Sequence, residues 1–184
     1  MALNDGGYIV FGVFITCMEG VLGYEVLSES YDELYFREQA SKYSLALSRV
    51  GRHHEVVLDL GCGTGLLGLF LESELPVGLD PCRALLVKAR GRGYEVVVGV
   101  GDFLPFRDSC FDGVFSFTVV HECPGLVDEA VRVSRGFVVV SVLRKCLEYL
   151  SRVLSVLGSW GRVEVLDVEG VKDVVVVGRR CGGG

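Results

Sequence analysis

Residues 55–65 read EVVLDLGCGTG, and this stretch decides the fold. Its first six positions are mostly Val and Leu, the pattern of a strand buried on both faces. Glycines follow at 61, 63 and 65. Glycine takes positive φ without penalty, so the strand ends in a turn whose backbone a ligand can approach closely. Beyond it, residues 66–73 (LLGLFLES) are predicted to form a short helix. Its N-terminus would favour a carboxylate or phosphate above the turn.

The same alternation continues outward. Residues 76–80 (PVGLD) are the second expected strand, and 82–92 a helix closed by Gly91 and Gly93. The third strand is expected at 95–100, followed by a polar loop with Pro105. The fourth is 112–118 (DGVFSFT), and a helix over 126–134 has Pro124 near its start. The fifth is 136–143 (GFVVVSVL), followed by a helix at 145–157 with Leu147, Leu150, Val153, Leu154 and Leu157 on one face. Residues 162–168 and 171–178 then pair as a tight hairpin. The pattern predicts an α/β fold: a doubly wound, mostly parallel seven-stranded sheet with a C-terminal antiparallel hairpin.

Upstream, residues 31–50 are predicted helical, with Ser30 and Glu33 spaced as a capping box. Leu34, Ala40, Tyr43, Leu45 and Leu47 supply its apolar surface. Three segments result: an extension at 1–17 outside the core, a helical lid at 18–54, and the core at 55–184. Residues 8–17 (YIVFGVFITC) also suit an extra strand, and Met18 offers an alternative start. These ten apolar residues are half the roughly twenty that a membrane span needs, and no basic residue precedes them as in a signal peptide. No membrane association is expected.

Composition narrows the functional classes. The 184 residues suit one domain, and half are hydrophobic, which excludes a disordered tail protein. A net charge of −6 argues against a general nucleic-acid coat. Fourteen Arg against four Lys, with Asn4 and Gln39 the sole amides, resembles a thermophile's usage, although a GC-rich genome gives the same Arg bias. Seven cysteines without a CxxC pair exclude a zinc ribbon. Their odd number fits small buried side chains in a reducing cytoplasm.

Ligands in such sheets bind beyond the carboxyl ends of the strands, where strand order reverses. Chemistry is therefore expected just after Leu60, Asp80, Val100 and Thr118. Gly63, Gly65 and Gly68 match a dinucleotide-type G-x-G-x-x-G, which leaves a nicotinamide cofactor open. Asp80 can accept from both hydroxyls of a ribose, its side chain facing a solvent-filled cleft, or it can cap the next helix. Asp102 can accept from an adenine amino group with Phe103 against the ring; the plainer readings are a turn residue and a loop aromatic covering the core. His121, beside Glu122, is a candidate general base or a packing residue at a helix entry. His53 and His54 precede the first strand and are expected at the surface.

Taken together, VLDLGCGTG at 57–65, VGLDPCRALLVKAR at 77–90, GDFLPFRDSCFDGVFSF at 101–117 and the closing hairpin resemble class I S-adenosylmethionine-dependent methyltransferases. The likeness is nearest to the small ubiquinone- and menaquinone-biosynthesis type and spans roughly residues 55–180. It implies S-adenosyl-L-methionine as cofactor. Gly61, Gly63 and Gly65 would curve under its methionine part, with Cys62 among them, and Asp59 would hold its ammonium. Asp80, followed by Pro81, would take the ribose hydroxyls, and Asp102 the adenine amino group, with Phe103 on the ring. Phe117 and Thr118 would border the methyl group. Tyr31, Tyr35 and Tyr43 would lie over the cofactor from the lid helix.

No N/D-P-P-Y/F sequence follows the fourth strand, so amide or adenine-N6 methylation of that type is not supported. Cys123-Pro124 reverses the order of a cytosine-C5 nucleophile, and Cys123 is expected to pack. With no inserted domain, the expected acceptor is a small molecule. An RNA or protein acceptor, a cofactor-binding scaffold and a nicotinamide-dependent oxidoreductase are the alternatives.

Overall fold

The computed structural model describes residues 2–3, 9–10 and 31–181, with side chains from Phe36 onward. The expected capping box, Leu34, the side chains of Tyr31 and Tyr35, Cys17 and Met18 lie outside the described residues.

In chain order the elements are β1 (Ala2–Leu3), β2 (Ile9–Val10), α1 (Tyr31–Val50), β3 (His53–Leu60), a 3-10 turn (Leu66–Leu69), β4 (Glu72–Asp80), α2 (Arg83–Gly91) and β5 (Glu95–Val98). Then come β6 (Phe111–Phe117), α3 (Leu126–Val133), β7 (Ser134–Leu143), a second 3-10 segment (Arg144–Tyr149), α4 (Leu150–Trp160), β8 (Gly161–Leu166) and β9 (Asp173–Arg180). The seven long strands lie in the order β5-β4-β3-β6-β7-β9-β8. β5 through β7 run parallel, and β9 pairs antiparallel with both β7 and β8. The expected mostly parallel sheet with an antiparallel end is therefore present. At the β5 edge, Ile9–Val10 pairs parallel with Val97 and Val98, and Ala2–Leu3 pairs with Ile9–Val10.

Strand order reverses between β3 and β6, so the carboxyl ends of those two strands open the crevice that such sheets use for ligands. Alternating side chains of β3 serve opposite faces. Leu58 and Leu60 join Val114, Val138 and Val140 beneath α3 and α4, while Val57 joins Phe115, Phe137 and Val139 beneath α1. α2 covers the outer part of the second face, where Leu86 and Ala89 meet Tyr94 and Val96. Full burial of each such aliphatic side chain stabilises the fold by about 1.5–3 kcal/mol relative to exposure.

Several elements differ from expectation. Of residues 66–73 only Leu66–Leu69 form a helical turn, a single 3-10 one, because β3 starts at His53 and pairs it with Glu72, which draws the chain into β4 early. Gly68 also lies under Tyr94, where an added Cβ would sit 2.6 Å from a ring carbon. A four-residue turn has little dipole, so the anion-favouring helix end is absent here. The helix at 145–157 is split: Cys146 leaves helical geometry (φ −126°, ψ 33°), and α4 proper begins at Leu150. Val153 and Leu157 are buried, but Leu147 is exposed. The final hairpin has a loop over residues 167–172 rather than a tight turn.

The buried stripe of α1 also departs from its apolar pattern. It comprises Gln39, Lys42, Tyr43, Ala46 and Leu47, a 3.6-residue spacing with two polar members; Ala40 and Leu45 are only half-buried. Among the described residues no helix is long and apolar enough to cross a membrane, no cluster of metal-ligating side chains occurs, and no two of the six described cysteines form a disulfide.

Candidate active site

The turn after β3 is built by backbone geometry. Gly61, Gly63 and Gly65 stand at φ 71°, 52° and 74°, a region that side chains with a Cβ rarely adopt. The Gly61 and Cys62 amides both donate to the Leu79 carbonyl, at 2.8 and 3.2 Å, which folds the turn over the end of β4. A Cβ at Gly61 would lie 2.3 Å from Val119 Cγ2, so that position is closed to any other residue without movement of the loop after β6.

Three carboxylates stand at or beyond the carboxyl ends of three adjacent strands. Asp59 on β3 is buried and accepts from the Tyr94 hydroxyl at 3.2 Å. Burial pushes its pKa up to about 7, the Tyr94 bond opposes that, and the Asp80 charge adds to it. Asp80 ends β4 and is only 7% exposed, so it does not face a solvent-filled cleft as expected. Its Oδ2 accepts from the Gly63 amide at 3.0 Å and its Oδ1 from the Cys82 amide at 2.8 Å. The carboxylate both ties the glycine turn to β4 and holds the Cys82 amide just before α2. Burial raises its pKa to about 6, against the pull of those two N–H groups, with the Glu122 charge contributing. Asp102 follows β5 and accepts from the Gly125 amide, joining its loop to the start of α3.

One pocket gathers Gln39 and Tyr43 from α1, Asp59, Gly61 and Cys62 from the β3 end, and Phe117 from β6. Phe117 meets Tyr43 edge-on with ring centroids 4.8 Å apart. Asp80, Pro81, Asp102, Phe103, Thr118 and His121 lie outside this lining. Phe103 is 64% exposed and covers no core. The Cys62 thiol is buried, and burial holds its pKa well above the ordinary value, which makes it a poor nucleophile. His121 sits in the turn after β6, half-buried, with Nε2 3.7 Å from a Glu122 carboxylate oxygen. Of the other histidines, His53 is exposed, whereas His54 is half-buried against Phe137. Cys123 is buried, as expected of a packing residue.

Residues 57–136 match the family model described as a methyltransferase domain. A probable tRNA methyltransferase 9B of Mus musculus is 45% identical over 67 residues, 36% of this chain and 15% of that protein. The 18S rRNA (guanine-N(7))-methyltransferase of Bos taurus is 41% identical over 69 residues, 35% of this chain and 25% of that protein. A solved S-adenosylmethionine-dependent methyltransferase of Thermotoga maritima superposes with a TM-score of 0.64 at 18% identity, covering 85% of this chain and 97% of that one. The matched stretch, under half of the chain, is similar to a methyltransferase domain, and the sheet has the fold of that solved methyltransferase. The chain spans a quarter or less of the curated relatives just named.

Helix α1 brings polar groups that its sequence pattern hides. Lys42 is fully buried, with Nζ 3.0 Å from Asp173 Oδ1, 3.1 Å from Glu38 Oε1 and 3.0 Å from Thr118 Oγ1. Thr118 Oγ1 donates to Asp173 Oδ2 at 3.1 Å, and Ser141 Oγ donates to the same oxygen at 2.7 Å. Thr118 itself stands at φ 67°, held by its amide donating to Ser141 Oγ at 2.9 Å. A polar knot thus fastens α1 to the ends of β6, β7 and β9. In sequence, Lys42 looks like one more cation on a helix, and Asp173 like a hairpin residue.

Proposed function

We propose that this chain transfers a methyl group from S-adenosylmethionine to a nucleobase of RNA. When bound, the cofactor supplies an electrophilic methyl on a sulfonium. The observation supporting cofactor placement is the row of acceptors, Asp59, Asp80 and Asp102, at or beyond the carboxyl ends of neighbouring strands β3, β4 and β5 beside the glycine turn. Asp59 would hold the ammonium, and Gly61 to Gly65 would curve under the methionine part. Asp80 would take the ribose hydroxyls. Each of its oxygens has a second lone pair, so engagement with two amides leaves capacity for two hydroxyl donors. Asp102 would accept from the adenine amino group through its second oxygen, and the exposed Phe103 is free to cover a ring. Phe117 and Thr118 would border the methyl.

The acceptor class rests on the relatives, whose printed names specify tRNA and 18S rRNA. The net charge of −6 favours the small-molecule reading instead, because phosphate binding needs a basic face. Radiolabelled S-adenosylmethionine incubated with total RNA, total protein and a metabolite extract separates the acceptor classes. Label in digested nucleosides supports the RNA reading, and label confined to the metabolite fraction overturns it. If His121 is the base that takes the acceptor's proton, His121→Ala lowers kcat about 10²–10⁴-fold with cofactor affinity unchanged. Unchanged turnover leaves it a packing residue.

A further inference from the structure

Gln39 is the chain's single glutamine and lies on the site-facing stripe of α1. It is 8% exposed, and its Oε1 accepts no hydrogen bond. A buried amide oxygen left in this state costs free energy, because desolvation is not repaid by a partner. Gln39 lines the same pocket as Asp59 and Gly61. Two acceptors, one anionic and one neutral, thus flank a single space.

What complements such a space is a compact donor with positive charge. A ligand hydroxyl would leave the Asp59 charge uncompensated, and an apolar group would leave both acceptors without partners. A primary ammonium has three N–H donors and a full charge, so it can serve Asp59 and Gln39 together. Among the parts of S-adenosylmethionine, only the amino-acid end carries such a group. Asp80 and Asp102, the candidate nucleoside acceptors, do not line this pocket.

We propose that Gln39 is a ligand-binding residue that recognises the ammonium of the methyl donor's amino-acid end jointly with Asp59. This rests on the reading that the methionine part lies over the glycine turn. The lid helix then contributes to donor selection directly, and its placement by Lys42 sets the position of the amide three residues earlier.

The test compares S-adenosylhomocysteine, which keeps the amino-acid end, with 5′-methylthioadenosine, which lacks it. Both are titrated calorimetrically into the whole chain and into Gln39→Met, a substitution that preserves length and removes the polar atoms. The expected result is about tenfold weaker S-adenosylhomocysteine binding, with 5′-methylthioadenosine changed less than about twofold. The ligand-free variant should melt at or above the temperature of the wild type, since a partnerless buried acceptor has been removed. Gln39→Glu keeps an acceptor in place and should retain the preference for the amino-acid-bearing ligand, which tests the proposal even if Gln39→Met fails to fold. Equal loss for both ligands, or no loss for either, overturns the role of Gln39 while leaving the cofactor assignment intact. A wild-type chain that binds both ligands equally overturns the placement of the amino-acid end, and one that binds neither overturns the cofactor reading itself.

Discussion

At the scale of single residues, Asp80 carries two loads. Its carboxylate fixes the glycine turn and the start of α2 before any ligand arrives. Asp80→Ala should therefore weaken S-adenosylhomocysteine binding by roughly 2–4 kcal/mol and also lower fold stability by about 1–3 kcal/mol, read by calorimetry beside a denaturant melt. A variant losing stability alone would make Asp80 purely structural. Asp80→Asn keeps one acceptor and should lose less of both. Asp59 and Asp80 predict a pH dependence as well. With folded-state pKa values near 7 and 6, both favour the protonated form in the fold. Their contribution to ligand-free stability is full below about pH 4 and is lost as pH rises through 6 to 7. Ligand affinity runs the other way, because an ammonium needs Asp59 ionised. S-adenosylhomocysteine binding should strengthen about tenfold from pH 6 to pH 8, and a flat profile would remove Asp59 from the ammonium site. The identity of these carboxylates was legible because strand ends and glycine turns leave a sequence signature. Their burial was not, since it depends on the Tyr94 hydroxyl and the Gly63 amide arriving from elsewhere in the fold.

At the scale of elements, α1 is where sequence reading reaches its limit. Its helical character follows from its composition, but polar Gln39 and Lys42 on a stripe with Tyr43 read as solvent-facing until β9 supplies Asp173. Replacing one partner of a fully buried ion pair leaves a bare charge, which costs about 3–5 kcal/mol. Lys42→Met should show a loss of that size in a denaturant melt, and pairing it with Asp173→Leu should recover most of it. A loss below about 1 kcal/mol for Lys42→Met would show that the knot does not hold the helix. The turn after Gly65 illustrates the opposite error. Residues 66–73 have the apolar content of a helix, yet pairing between His53 and Glu72 shortens the crossover to one 3-10 turn. Long-range register overrode local propensity there.

At the scale of the whole molecule, the parallel direction of the sheet followed from the alternation of strand and helix, and the connection rules for such sheets leave few alternatives. The two-residue pairings of Ile9–Val10 and Ala2–Leu3 at the β5 edge had no comparable signal beyond an apolar run. A chain beginning at Met18 retains all seven long strands and should fold and bind S-adenosylhomocysteine; insoluble protein would assign residues 1–17 to the core. The position of β9 has a consequence for how the molecule is made. This strand follows β8 in sequence but inserts between β7 and β8, and it carries the aspartate that secures α1. During synthesis α1 leaves the ribosome early, while the residue that anchors it emerges after every other strand. The ion pair Lys172–Glu38 spans 134 positions in the same way. Such long loops close late in folding. The donor pocket therefore matures with the last strand translated, and a nascent chain halted before residue 173 would carry every glycine and carboxylate of the site without the fastening that orders them.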